Sequence, residues 1–124
     1  MYPDSLCDYC KCLLVREEYD AAIANLNEAI TLGSTAGRVL LGLTYSELAL
    51  VTPGESGYNY MQKANEAFDG VNVLSDTVSS ELNNSLIQVR AAFFQAIMCR
   101  MISKNLERSY ELLQNIVNYQ WYAD

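Results

Sequence analysis

The chain has no histidine, only two prolines and six glycines, and eight basic residues against fifteen acidic ones. Without imidazole, every triad or dyad built on histidine is excluded, together with the commonest general base. The net charge is −7, and Lys11, Arg16, Arg38, Lys63, Arg90, Arg100, Lys104 and Arg108 are strewn along the whole length. No cationic surface is left to neutralise phosphates, which disfavours nucleic acid and anionic membranes as partners. The richest apolar run, Leu86 to Ile102, is broken by Gln88, Arg90, Gln95 and Arg100, which argues against a membrane span. The opening "MYPDSLCDYC" has neither a basic nor an apolar leader region, so a cytoplasmic protein with reduced cysteines and no cofactor is expected. Asn83-Asn84-Ser85 matches a glycosylation sequon, which carries no weight in that setting.

What remains is apolar and helical. Hydrophobic residues make up 51 % of 124 residues, too many for a disordered segment and enough for one domain spanning 1–124. The few breakers cluster, leaving long stretches for helices. Asp4-Ser5 with Asp8 resembles a capping box opening a first helix that ends near Arg16. Tyr19, Ala22, Ile23, Leu26, Ala29 and Ile30 recur at three- and four-residue steps, the clearest amphipathic helix in the chain. Gly33 supplies a left-handed cap, Ser34 or Thr35 opens a third helix over about Ala36 to Leu50, and "TPGESG", Thr52 to Gly57, reads as a loop. A fourth helix follows from about Tyr58 to Val73, "SDT" caps the next, and one long helix is expected from about Ser79 to Ser103. That helix is apolar on more than one side, along Leu82, Leu86, Val89, Phe93 and Ile97 and again along Ile87, Ala91, Phe94, Met98 and Met101, so it belongs between neighbours. Lys104-Asn105 turns the chain into a last helix marked by Leu106, Tyr110, Leu113, Ile116 and Val117. No sustained period-two alternation occurs, so an all-α fold is predicted: about six antiparallel helices in three hairpins, about Asp4–Leu32, Ala36–Val73 and Thr77–Tyr122.

"CDYCKC", Cys7 to Cys12, holds three of the four cysteines. On a helix, Cys10 falls within the stripe of Leu6, Tyr9, Leu13 and Leu14, Cys7 at its edge, and Cys12 nearly opposite. Three such sulfurs cannot converge on one ion, and only Cys99 remains to help. Cys7-x-x-Cys10 has the spacing of a redox dithiol, without the strand that normally precedes one. The preferred expectation is that Cys7, Cys10 and Cys99 act as small core hydrophobes. A metal-binding or thiol-redox module centred on Cys7 and Cys10 is the alternative. Glu17-Glu18 face different ways on a helix and serve its amino-terminal dipole, so no enzyme is predicted.

"EEYDAAIANLNEAITL", Glu17 to Leu32, resembles the second helix of a tetratricopeptide repeat, with Tyr19, Ala22, Leu26 and Ala29 at its aromatic, small, bulky and small positions. "LGLTY", Leu41 to Tyr45, is similar to the first-helix signature of that family, although the anchors Tyr19, Met61 and Leu106 are spaced more widely than its 34-residue period. The resemblance implies a tetratricopeptide-like array, the rival being a compact bundle, and a non-catalytic adaptor or chaperone. The implied groove takes Cys7 and Lys11 from the first hairpin, Val39, Leu43 and Ser46 from the second, and Phe94, Met98 and Met101 from the third. Such a groove suits an apolar or amphipathic protein segment with basic flanks. An apolar surface of this kind also suits homo-oligomer formation, and the closing "YQWYAD" suggests either self-association or a piece of a longer array. An acidic inhibitor mimicking nucleic acid is the third alternative, and the dispersed carboxylates speak against it.

Overall fold

A computed structural model describes the backbone of residues 3–119 and the side chains of residues 9–119, and among these residues the fold is all-helical. Seven helices follow in order: α1 (Pro3–Val15), α2 (Tyr19–Thr31), α3 (Thr35–Val51), α4 (Gly54–Phe68), α5 (Asp76–Leu82), α6 (Ser85–Met101) and α7 (Leu106–Asn118). No helix among the described residues is long and apolar enough to cross a membrane. The capping box expected at Ser5 and Asp8 falls on side chains outside those described.

The turns follow from cap chemistry. Gly33, at φ 93°, ends α2: its own N–H reaches the Ile30 carbonyl at 2.9 Å, and the N–H of Ser34 reaches Ala29 at 3.0 Å. Ser34 then opens α3 by accepting from the N–H of Gly37 at 2.9 Å, so one residue closes one helix and starts the next. The same closing geometry joins α1 to α2, where Glu17 takes the left-handed conformation at φ 59° and the N–H of Glu18 reaches Leu13 at 2.9 Å.

Two expectations are corrected. The long fifth helix expected over about Ser79 to Ser103 is two helices, because Asn83 turns left-handed at φ 50° and Asn84 accepts from the N–H of Ile87 at 3.0 Å, restarting the chain as α6. "TPGESG" is mostly helix: α4 begins at Gly54, directly after Pro53. Gly57 permits this, since a Cβ there would lie 2.1 Å from the Thr52 carbonyl oxygen.

The helices pair as α1 with α2, α3 with α4, and α6 with α7, and each pair leans on the next. α3 packs on α1 and α2, α6 packs on α3 and α4, and α7 packs closely on α6 alone among the described helices. α5 is an inserted brace against α1, α3 and α6. The core runs through all of them, with Leu26, Val39, Leu40, Phe68, Val78 and Leu82 buried. Each such side chain contributes roughly 1.5–3 kcal/mol by leaving water. α3 and α4 approach closely because Gly42 lies under the Phe68 ring, where a Cβ would come within 2.5 Å of the ring.

Candidate functional site

A cleft of about 390 Å³ lies between α1, α3 and α6. Its apolar lining comes from Leu14 and Val15 of α1, Leu43, Leu50 and Val51 of α3, and Ile87 of α6. Leu43 is buried and forms floor, whereas Val15, Leu50 and Val51 stand exposed at the rim. Polar groups are set among them: Lys11, Glu17, Tyr19, Glu47 and Arg90.

These groups hold one another. Lys11 donates from Nζ to the Leu82 carbonyl at 2.7 Å, a cation at the carbonyl end of α5. Arg90 Nη2 lies 3.0 Å from Glu47 Oε1, and the guanidinium sits 5.9 Å from the centre of the Phe94 ring. Burial pushes the Glu47 carboxyl above the ordinary carboxylate range; Arg90 opposes this and Glu17 adds to it. The Tyr19 phenol is likewise raised, by burial first and then by Glu47 and Glu17. The cleft thus combines an apolar floor with polar walls whose cations are already engaged.

Of the eight residues the groove expectation named, Lys11 and Leu43 come together here. Val39 is fully buried, Met98 nearly so, and Ser46 is buried with Oγ donating to the Gly42 carbonyl at 2.8 Å. Phe94 is half-buried beside a second, more apolar depression on α6, and Met101 is exposed near the end of that helix. The side chain of Cys7 lies outside the described residues. Most of the cleft lining was not singled out from the sequence. One signal was there: Leu13-Leu14-Val15 and Leu50-Val51 extend apolar character past one helix stripe, and three consecutive helical residues cannot all be buried on one side.

Among the described residues, the cysteines do not form a cluster. Cys10 is buried, its thiol donating to the Ala22 carbonyl at 3.7 Å, and Cys12 is exposed on the other side of α1. Cys99 is buried against α7, with Sγ 3.6 Å from the Asn105 carbonyl oxygen, and burial pushes its thiol up while Arg108 opposes the shift. Among the described residues, no three His, Cys, Asp or Glu side chains come together in a group suited to a metal ion. No family model, curated protein or solved structure matches the chain.

Proposed function

We propose that this chain is a non-catalytic protein-interaction adaptor or chaperone that receives an apolar or amphipathic segment in the cleft between α1, α3 and α6. The observation that carries the reading is the exposure of Val15, Leu50 and Val51 around a buried apolar floor, in a cleft whose cations are already engaged. An amphipathic helix would set anchor side chains among these residues, as helix-in-groove recognition requires. With Lys11 held by Leu82 and Arg90 by Glu47, an acidic tail finds poor purchase, whereas the acidic surroundings favour basic flanks on the partner. The resemblance of Glu17–Leu32 and Leu41–Tyr45 to tetratricopeptide repeats supports the same reading, because that family presents partners to the first helices of its hairpins. Here α1, α3 and α6 are the first helices of their pairs.

A selection from a random peptide display library on the native chain tests this. The enriched peptides are expected to carry apolar residues at helical spacing with Lys or Arg at the ends, and to be lost from selections on Val15→Glu and Leu50→Glu. Enrichment of the same peptides on both variants would contradict the cleft as their site.

A further inference from the structure

The hairpin of α6 and α7 is antiparallel and in tight register: Tyr119 meets Gln88 at 2.9 Å, Ser109 Oγ donates to the Ala96 carbonyl at 2.8 Å, and the Asn105 carbonyl oxygen lies 3.6 Å from Cys99 Sγ. α6 exposes Leu86, Phe93, Ile97 and Met101, which fall within about 80° of one another on a helical wheel. α7 exposes Leu106, Tyr110, Leu113 and Val117, within about 60°. Both stripes lie on the same rotational side of the α6–α7 seam, which for antiparallel helices is one and the same side of the hairpin. The register sets Phe93 level with Leu113, Ile97 with Tyr110, and Met101 with Leu106. The result is one continuous apolar face, opposite the side that α6 turns to α3 and α4. On the two earlier hairpins, the next first helix covers such a side: α3 rests on α1 and α2, and α6 on α3 and α4.

The eight side chains are between 40 % and 71 % exposed. Together they offer on the order of 800 Å², beyond the few hundred Å² a soluble monomer ordinarily leaves as one apolar patch, and equal to one partner's share of a standard interface. Charge does not oppose self-contact there. Although the chain carries −7, α6 has no acidic residue; Arg90, which falls within the α6 arc, is paired with Glu47 at 3.0 Å, Arg100 and Glu107 stand at the margins of the face, and Glu111 of α7 is paired with Arg108 at 3.2 Å on another side of the helix. An apolar centre whose one cation, Arg90, is already paired and whose other charges lie at the margin matches the composition of homodimer interfaces.

We propose that this face docks on the same face of a second copy of the chain, the two hairpins closing a four-helix interface around the Phe93, Ile97, Tyr110 and Leu113 side chains. The arrangement is isologous and closed, so assembly stops at two. Sedimentation equilibrium tests it over protein concentrations of roughly 1–100 µM, the span in which a standard-size interface of modest quality saturates. The native chain is expected at twice its monomer mass. The double variant Phe93→Glu/Tyr110→Glu, at side chains already 46 % and 65 % exposed, is expected to sediment as a monomer with an unchanged helical circular-dichroism spectrum, its dissociation constant weakened by about a hundredfold or more. The variant Leu50→Glu, at an exposed apolar residue outside this face, is expected to remain dimeric. A native chain that stays monomeric throughout would overturn the proposal and leave the face to a different polypeptide. A dimer that survives in Phe93→Glu/Tyr110→Glu would overturn it equally.

Discussion

Arg90 crosses the cleft from α6 to α3 and places Nη2 3.0 Å from Glu47 Oε1, yet the Glu47 carboxyl is held above its ordinary range because burial outweighs the pair. A carboxyl whose folded value is raised favours the fold fully below its unfolded value, and that contribution is lost as pH rises through the raised folded value. Glu47→Gln removes this loss. In urea titrations, the stability of the variant relative to the native chain is therefore expected to rise as pH climbs from about 4, the ordinary carboxylate value, through the raised folded value, and then to level off. A relative stability that falls with pH would mean that Arg90 dominates Glu47.

Gly42 and Phe68 make a second prediction. An added Cβ on Gly42 would come within 2.5 Å of a nearly fully buried ring. Alanine is the better helix former by about 1 kcal/mol. Even so, Gly42→Ala is expected to destabilise the protein by roughly 1–3 kcal/mol, as overpacking does. In Gly42→Ala/Phe68→Leu the loss should fall short of the sum of the single losses by about 1 kcal/mol, since the smaller side chain makes room. Strict additivity in thermal or urea unfolding would place the strain elsewhere.

The break between α5 and α6 rests on two adjacent asparagines with different duties. Asn84→Ala removes a side-chain cap and should cost about 1 kcal/mol. Asn83 sits at φ 50°, so Asn83→Gly is expected to leave stability unchanged or slightly raised, whereas Asn83→Val should cost about 1–2 kcal/mol for placing a branched residue in the left-handed region. Unfolding midpoints in denaturant report all three, and an Asn83→Gly variant as unstable as Asn83→Val would refute the backbone explanation.

Gln88 is fully buried and ties three segments together: its Nε2 donates to the Val73 carbonyl at 2.9 Å, and its Oε1 accepts from Ser79 at 2.8 Å and from Tyr119 at 2.9 Å. Gln88→Leu leaves the Val73 carbonyl without this donor and should cost about 2–3 kcal/mol, while Tyr119→Phe should cost about 0.5–1.5 kcal/mol. Calorimetric unfolding that ranks the two in the reverse order would show that the tyrosine hydroxyl, and not the glutamine, anchors the end of α7.

The helices themselves were largely legible in the sequence. The stripe from Tyr19 to Ile30, the Gly33 turn, and the caps at Ser34, Ser75 and Asn105 stand where local chemistry places them. Asn83-Asn84 misled because neither residue stops a helix by composition; only the left-handed turn of one and the capping of the other do so. "TPGESG" misled in the opposite sense, since its glycines serve a close helix approach as well as a turn. The cleft was legible only at Lys11 and Leu43. Val39, Ser46 and Met98 share the helical spacing of groove residues, but spacing does not say which side of a helix its neighbours will cover, and the inserted α5 packs against α1, α3 and α6. The doubly apolar character of α6 predicts a helix between neighbours, whereas Leu86, Phe93 and Ile97 mark a side that no described helix covers.

The central claim, that the α1–α3–α6 cleft receives an amphipathic segment, is tested most directly by calorimetric titration of one library-selected peptide into three proteins. The native chain and Phe93→Glu/Tyr110→Glu are expected to bind it equally, and Leu50→Glu at least about tenfold more weakly. Equal affinity for Leu50→Glu and the native chain, or a loss confined to the α6–α7 variant, would contradict the account.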